Sequence, residues 1–292
     1  MRLSPDLLKA VVFLGSRNEA GDFKIFGTGF FVGYPMRSDG QFVYLVTADH
    51  IIRKIAEFGY ANVIVRINLI VGGFAFQAIP VAEFRNHPTS SSIDVAAALM
   101  YDENLAGIEI KAITQELFLE RRSPEYGGAG IGDEVFFVGC FVNHSGKNRN
   151  IPIARAGSIS AMPSEPILTK LGEQAGYIVD GISIGGFSGA PVMVSPIVGV
   201  SLANGLQMAS KETRLLGQRQ TSLLGLVHGH FDIDESISDS IELDNRTNGT
   251  VNSGLAIVVP SIFIIETIEQ EYFKIERDKH LAQSEITVEK LS

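Results

Sequence analysis

The apolar residues of this 292-residue chain fall mostly in short runs that are separated by glycines and other turn-forming residues. Residues 11–14, 27–33 and 42–46 are examples. Short runs rich in Val, Ile and Phe and bounded by turns predict buried β-strands. Only residues 51–58 and the stretch that follows Pro260 have helical spacing. We therefore predict a fold dominated by β-structure with few helices.

Two β-rich halves of similar size flank a more charged stretch, residues 101–129, which we interpret as their connection. Two such halves favour a pair of packed β-barrels or a large sandwich. The predicted boundaries are 8–115 for the first half, 116–270 for the second half and 271–292 for a charged tail.

The charge and composition of the chain limit the kinds of binding partner and the cell compartment that we expect. The net charge of −9 argues against nucleic acid or an anionic membrane surface as the main partner. Cys140 is the only cysteine, which excludes an intramolecular disulfide and fits a reducing compartment. The first 15 residues lack a small-residue cleavage site, so we predict a strand there and not a signal peptide. No apolar run reaches the roughly 20 residues that span a bilayer, and we expect a soluble, cytoplasmic protein.

Residues 185–191 (Gly-Gly-Phe-Ser-Gly-Ala-Pro) place one hydroxyl, that of Ser188, among glycines and ahead of an apolar run. A serine hydroxyl needs a base within hydrogen-bond reach to act as a nucleophile. Acyl transfer also needs donors for the oxyanion, and we predict the amides of Gly186 and Ser188 in that role. Taken alone, the stretch is more typical of a glycine-rich turn between two strands with an incidental serine.

Two residues that are distant in the sequence favour a catalytic role for Ser188. His50 and Asp94 each lie where an apolar run meets a turn, as Ser188 does. A histidine can take the serine proton and return it to the leaving group, while an aspartate fixes the histidine tautomer and stabilises the imidazolium. We predict that His50, Asp94 and Ser188 form a catalytic triad.

The chain resembles the chymotrypsin/trypsin-like serine peptidases of the disulfide-free bacterial kind. The matching pieces occur in the family's order of His, Asp and Ser and span about residues 8–270; they are 27–32, 45–51, 93–96, 132–135 and 186–191. The resemblance implies two packed six-stranded antiparallel β-barrels, here with a C-terminal helix. It also implies a serine endopeptidase that acts on protein or peptide substrates, with no cofactor and no metal.

Three residues depart from the family's pattern. Phe187 stands where Asp or Asn is usual, so the family's zymogen switch, which pairs a new N-terminus with that aspartate, is not expected. Ala190 replaces the commoner glycine, and Asp49 stands beside His50 where a small residue is usual. The resemblance also implies a specificity pocket walled by Ile182, Leu226, Val227 and His228, and Ile182 favours an apolar or small substrate side chain.

Three alternatives remain open. Residues 181–185 match the Gly-x-Ser-x-Gly elbow, which would make Ser183 the nucleophile of an α/β-hydrolase, with Asp244 and His280 as partners. His228, His230 and Asp232 alternate and would share one face of a regular strand, where they could hold a metal. Finally, the chain could be a catalytically silent scaffold that binds a peptide or a regulatory protein partner. In that case the acidic stretch 232–253 and the C-terminal helix could be docking elements.

Overall fold

The computed structural model describes residues 3–18, 20–36, 40–101, 106–119, 129–169, 172–181, 185–195, 221–233 and 251–291. Four α-helices lie in these ranges: α1 (Pro5–Lys9), α2 (Asp49–Glu57), α3 (Ser261–Ile268) and α4 (Glu271–Leu291). The strands of the first half are β1 (Val11–Arg17), β2 (Phe23–Pro35), β3 (Gln41–Thr47), β4 (Asn62–Asn68), β5 (Phe74–Pro80), β6 (Arg85–Asn86), β7 (Ala96–Met100) and β8 (Ile113–Thr114). Those of the second half are β9 (Glu134–Gly139), β10 (Ile153–Ala161), β11 (Ile167–Thr169), β12 (Gly172–Gln174), β13 (Tyr177–Asp180), β14 (Pro191–Ser195), β15 (Ser222–Ile233) and β16 (Val251–Pro260).

The second half forms a closed barrel of six antiparallel strands in the order β10-β13-β16-β15-β14-β9. Closure removes free edges, and the inward side chains of all six strands share one core. Val179, Val192, Val227 and Val258 belong to that core, and each is fully buried. The predicted second barrel is therefore confirmed.

The first half curls into an eight-stranded sheet in the order β5-β4-β1-β2-β3-β7-β6, with β8 added in parallel to β2. Its two edges do not pair with each other in the described ranges. The edge strand β6 has only two residues and follows a 3-10 turn at Val81–Glu83. Six closed strands were predicted here, and the structure corrects that detail, because the sheet has eight strands and its short edge strand β6 pairs with β7. The double-barrel fold class is confirmed.

Helices α2 and α3 lie where the spacing predicted them, whereas α1 lies in the N-terminal stretch that was predicted as a strand. α2 buries Ile51, Ile52 and Ile55 on one face. Residues 271–291 of the predicted charged tail, 271–292, form α4, and Phe273 and Arg277 of this helix are buried. None of the described helices is long and apolar enough to cross a membrane.

One predicted segment lies partly outside the described residues, and one observed hairpin was not predicted. The acidic stretch 232–253 begins inside β15 and ends inside β16, and its residues 234–250 lie outside the described residues. The short β11–β12 hairpin was not predicted from the sequence, since its residues have no strong apolar alternation.

Candidate active site

His50 lies in the first turn of α2, and a distant carboxylate caps that turn. The first N–H groups of a helix have no partner within it. The N-cap residue, Ala48, makes no side-chain cap. Instead the His50 backbone N–H donates to Asp94 Oδ1 at 2.8 Å. The negative charge of Asp94 at a helix N-terminus is also favourable for the helix dipole.

Asp94 is buried between the two halves and accepts three hydrogen bonds. Besides the His50 amide, its Oδ2 atom lies 2.7 Å from His50 Nδ1 and 2.5 Å from His228 Nδ1. Only 1% of its side chain is exposed. Burial by itself raises the pKa of Asp94. The hydrogen bonds from His228 and His50 outweigh burial and hold that pKa well below its usual value, so the carboxylate is ionised.

His228 reaches Asp94 because β15 contains a β-bulge at this residue. Val227 pairs with Val258 and Gly229 pairs with Ile257, so His228 is the extra residue between them. A bulge bends the strand and re-aims the side chain of the extra residue. The His228 ring packs edge-to-face on the His50 ring, with centroids 5.6 Å apart and an interplanar angle of 81°.

Ser188 occupies a tight turn ahead of β14. Gly186 and Gly189 on either side have φ values of +103° and +78°, which glycine adopts at little cost. The Ala190 N–H donates to the Phe187 carbonyl at 2.9 Å, and the Gly189 N–H donates to the Val227 carbonyl at 2.7 Å. The turn is therefore fixed both within itself and to β15.

Thr28 of β2 connects the Ser188 turn to the first half. Its hydroxyl donates to the Gly186 carbonyl at 2.6 Å and accepts from the Cys140 N–H at 2.9 Å. Its own backbone N–H donates to the Ser188 carbonyl at 2.9 Å. A single buried residue thus holds two carbonyls of the turn.

The Ser188 turn packs directly against the start of α2. A Cβ atom built on Gly189 would come within 3.1 Å of the Ala48 nitrogen, and one on Gly27 would come within 2.3 Å of Ile51 Cδ1 and 2.9 Å of the Ser188 carbonyl. Ala48 and Ile51 flank the segment that carries His50. The fold therefore brings the His50 helix and the Ser188 turn together, although they are far apart in sequence.

In the described part of the chain, the Ser188 hydroxyl and the two predicted oxyanion amides are not engaged by the residues around them. Within the described ranges, Ser188 Oγ forms no hydrogen bond with His50, and the Gly186 and Ser188 N–H groups donate to no backbone carbonyl. Unliganded active sites often have long catalytic hydrogen bonds that tighten with substrate. Phe187 points away from this surface and is 1% exposed in the barrel core.

The predicted pocket residues have varied surroundings. The side chains of Leu226 and Val227 are fully buried in the apolar core, and the His228 ring is engaged with Asp94. Ile182 lies outside the described residues, as do Ser183 and Asp244 of the alternative hydrolase. His280 is on α4, where its ring packs against Phe42 at 5.9 Å. The pocket assignment therefore stays a prediction.

Asp49, the unusual neighbour of His50, is buried and pairs with Arg53 at 2.8 Å. Burial raises the pKa of the Asp49 carboxyl, and the charge of Asp94 raises it further, whereas Arg53 and His50 lower it. The site thus contains two neighbouring carboxylates, of which only Asp94 contacts the His50 ring nitrogen.

The ring nitrogens of His50 and His228 and the Asp94 carboxylate lie close enough to suggest a metal site, within 4.8 Å of one another. Tetrahedral zinc with bonds of about 2.0–2.2 Å separates its ligand atoms by roughly 3.3 Å. Asp94 Oδ2 is only 2.5 and 2.7 Å from the two nitrogens, so the observed spacing is that of hydrogen bonds. The predicted alternation of His228, His230 and Asp232 is interrupted by two register shifts in β15.

A separate cavity of about 520 Å³ lies beneath α1 and includes none of the predicted site residues. Most of its wall is apolar, and the apolar residues that line it include Leu3, Leu7, Ala10, Ile113, Leu117 and Met193.

Sequence reasoning missed the roles of Thr28 and His228. Thr28 lies in a matching piece of the family pattern, between two glycines, and that context was a usable signal for a close approach of the backbone. His228 was interpreted as a pocket wall, since alternation along a regular strand cannot reveal a bulge.

Comparisons with known proteins give structural likeness only. No protein-family model and no curated protein matches the chain. Among solved structures, it is similar to the MamO protease domain of Magnetospirillum magneticum in its apo form, with 14% identity over 92% of this chain and 100% of that chain and a TM-score of 0.52.

Two further solved structures have TM-scores of 0.42. One is Rv3671c from M. tuberculosis H37Rv, a Ser-to-Ala mutant in an inactive form, with 15% identity over 90% of this chain and 86% of that chain. The other concerns the coupled folding and binding of the intrinsically disordered VPg protein of Sesbania mosaic virus, with 13% identity over 90% of this chain and 91% of that chain. The closed barrel, the curled sheet beside it and the likeness to the MamO protease domain together show that this chain has the trypsin-like double-barrel fold.

Proposed function

We propose that the protein is a serine endopeptidase in which Ser188 is the nucleophile, His50 the general base and acid, and Asp94 the residue that orients His50. The observation that carries the proposal is the His50–Asp94 pair at the start of α2, against which the Ser188 turn is packed. A buried, ionised carboxylate bound to an imidazole Nδ1 leaves Nε2 free to accept a proton. This is the arrangement that a serine hydroxyl requires.

The proposed reaction has two stages, acylation of Ser188 and hydrolysis of the acyl-enzyme. Ser188 Oγ attacks the peptide carbonyl carbon while its proton passes to His50 Nε2, and the Asp94 carboxylate stabilises the imidazolium. The tetrahedral oxyanion accepts hydrogen bonds from the Gly186 and Ser188 amides. The C–N bond then breaks, His50 protonates the leaving amine, and an acyl-Ser188 ester remains. Water, deprotonated by His50, hydrolyses this ester and restores the Ser188 hydroxyl.

The substrate class proposed is an unfolded or extended peptide with an apolar or small side chain before the cleaved bond. This part rests on Ile182 and on the family resemblance. A charged substrate side chain would meet no opposite charge from Ile182.

A second candidate function is a silent scaffold that captures a peptide without cleaving it. One observation favours it: Ser188 Oγ has no hydrogen bond to His50 within the described structure. Binding would use the same surface, and the partner would remain intact after release.

Digestion of a reduced, unfolded protein tests the proposal. The wild-type chain should release peptides whose new ends share an apolar or small residue. Ser188→Ala should lower the rate by about 10³-fold or more, whereas Ser183→Ala should cleave at the wild-type rate. A folded wild-type chain that binds the substrate and leaves every bond intact would support the scaffold instead.

A further inference from the structure

A second histidine, His228, is bound to the carboxylate that orients His50. Its Nδ1 lies 2.5 Å from Asp94 Oδ2, the oxygen that also accepts from His50 Nδ1 at 2.7 Å. Only 5% of the His228 side chain is exposed. Because a buried polar group must find a partner, this contact satisfies the Nδ1 atom of the ring.

The donors around Asp94 leave its carboxylate little freedom. A carboxylate oxygen has two lone pairs, and both lone pairs of Oδ2 are used by imidazole nitrogens. Oδ1 accepts the backbone N–H of His50. Rotation of the Asp94 side chain would break at least two of these three bonds. His228 is the only one of the donors that does not belong to His50.

We infer that His228 is a positioning residue that holds Asp94, and through it His50, in the orientation required for proton transfer from Ser188. The inference rests on the proposed peptidase function. His228 acts in two ways: its Nδ1–H fixes Asp94 Oδ2, and its ring packs edge-to-face on the His50 ring at 5.6 Å. Because His228 does not touch the reacting atoms, it is not a catalytic residue.

The β-bulge in β15 is the backbone feature that allows His228 to contact Asp94. Regular pairing would assign His228 a partner on β16, and its extra position frees the ring to point at the other half of the molecule. Val227, one residue earlier, exchanges hydrogen bonds with Gly189 and Ala190 of the Ser188 turn. One segment of β15 therefore fixes both the nucleophile turn and the carboxylate.

The test uses the full chain with a small fluorophosphonate, which reacts with an activated serine, and compares His228→Leu with His228→Asn. Leucine fills the space without a donor, whereas the asparagine amide places an N–H close to the position of Nδ1. We expect His228→Leu to lower the labelling rate of Ser188 by about 10- to 100-fold. His228→Asn should restore most of the loss. His87→Asn is the matched control because His87 is also buried and bound to a carboxylate, Glu266 at 2.7 Å, but this carboxylate and the Phe263 ring on which His87 packs belong to α3 and not to the site.

Ring-nitrogen NMR of protein with ¹⁵N-labelled histidine gives a readout that needs no activity. The His228 Nδ1 should carry a proton in the wild type, and in His228→Leu the His50 ring should lose its single preferred tautomer. Equal labelling of folded His228→Leu and wild type, or a His228 Nδ1 without a proton, would overturn the inference. Stoichiometric zinc that is bound by the wild type and lost from His228→Leu would overturn it as well. If the wild type is not labelled at all, the peptidase proposal fails, and the NMR result still decides the role of His228.

Discussion

Thr28 donates its hydroxyl hydrogen to the Gly186 carbonyl across the boundary between the two halves of the molecule, at 2.6 Å. The same oxygen accepts the Cys140 N–H. The carbonyl next to a predicted oxyanion amide is therefore oriented by a strand of the other half. The fold couples the position of the nucleophile turn to the packing of the first sheet against the barrel.

Replacing Thr28 by valine should disturb this turn with little change in volume. The variant leaves the Gly186 carbonyl and the Cys140 N–H without their partner, which costs about 1–3 kcal/mol of unfolding free energy. The labelling rate of Ser188 should fall by about 10-fold or more. Thr28→Ser keeps the hydroxyl and should stay within a factor of about 3 of the wild-type rate. Urea unfolding and fluorophosphonate labelling measure the two effects, and a Thr28→Val variant that matches the wild type in both would contradict the account.

Gly189→Ala should be among the most damaging small substitutions in the chain. Gly189 has a φ of +78°, and an added Cβ would lie 2.2 Å from the Thr28 carbonyl oxygen. Left-handed strain and the clash together should cost about 3 kcal/mol or more. Gly185→Ala is the matched control, because an added Cβ there meets no atom within 4 Å, and its cost should stay within about 0.5 kcal/mol. Thermal unfolding of both variants checks the difference, and equal losses would contradict the described turn.

Asp94→Asn should lower stability in a way that depends on pH. The folded-state pKa of Asp94 lies below its unfolded value of about 3.9. The stabilisation by the ionised group is therefore fully present above about pH 4 and is lost as the pH falls towards the folded-state pKa. At pH 7 we expect a loss of about 3 kcal/mol. The difference between wild type and variant should shrink below pH 4; a constant difference between pH 7 and pH 3 would contradict the ionised, hydrogen-bonded carboxylate.

Arg277 should carry much of the attachment of α4 to the first sheet. Its guanidinium donates to the Tyr44 hydroxyl at 2.6 Å and to the Ile268 carbonyl at 2.9 Å, and it lies 4.3 Å from the centroid of the Tyr34 ring. Arg277→Met keeps the apolar length and leaves two buried acceptors unpaired, so we expect a loss of about 2–4 kcal/mol.

The control for the α4 contact is Lys274→Met. Lys274 is 61% exposed and its Nζ lies 3.8 Å from a Glu271 oxygen on the same helix, so its loss should stay within about 0.5 kcal/mol. Urea denaturation should separate the two variants clearly. Similar midpoints would show that α4 is attached by other contacts.

The sequence predicted most of the fold because its signals are local. Short apolar runs bounded by glycines indicated the strands of both halves, and the spacing at residues 51–58 indicated α2. The first sheet has eight strands where six closed ones were predicted, and two of the eight, β6 and β8, have only two residues each. Neither composition nor periodicity can predict strands as short as these.

The pairing of His50 with Asp94 follows the family's order, but the second partner of Asp94 could not be predicted. The position of His228 depends on a one-residue register shift between β15 and β16. Such a shift moves a side chain from one face to another without any change in the residues themselves. The role of Thr28 could not be predicted either, because it depends on contacts with residues more than a hundred positions away in the sequence.

Intact-mass detection of fluorophosphonate labelling tests the central claim, an activated Ser188, most directly. We expect one adduct on the wild-type chain, located by peptide mapping at Ser188, retained in Ser183→Ala and absent from Ser188→Ala. His50→Ala should slow its formation by about 10³-fold or more, because the serine loses its base. An adduct on Ser183, or none on a folded wild-type chain, would contradict the assignment of Ser188 as the nucleophile of a peptidase.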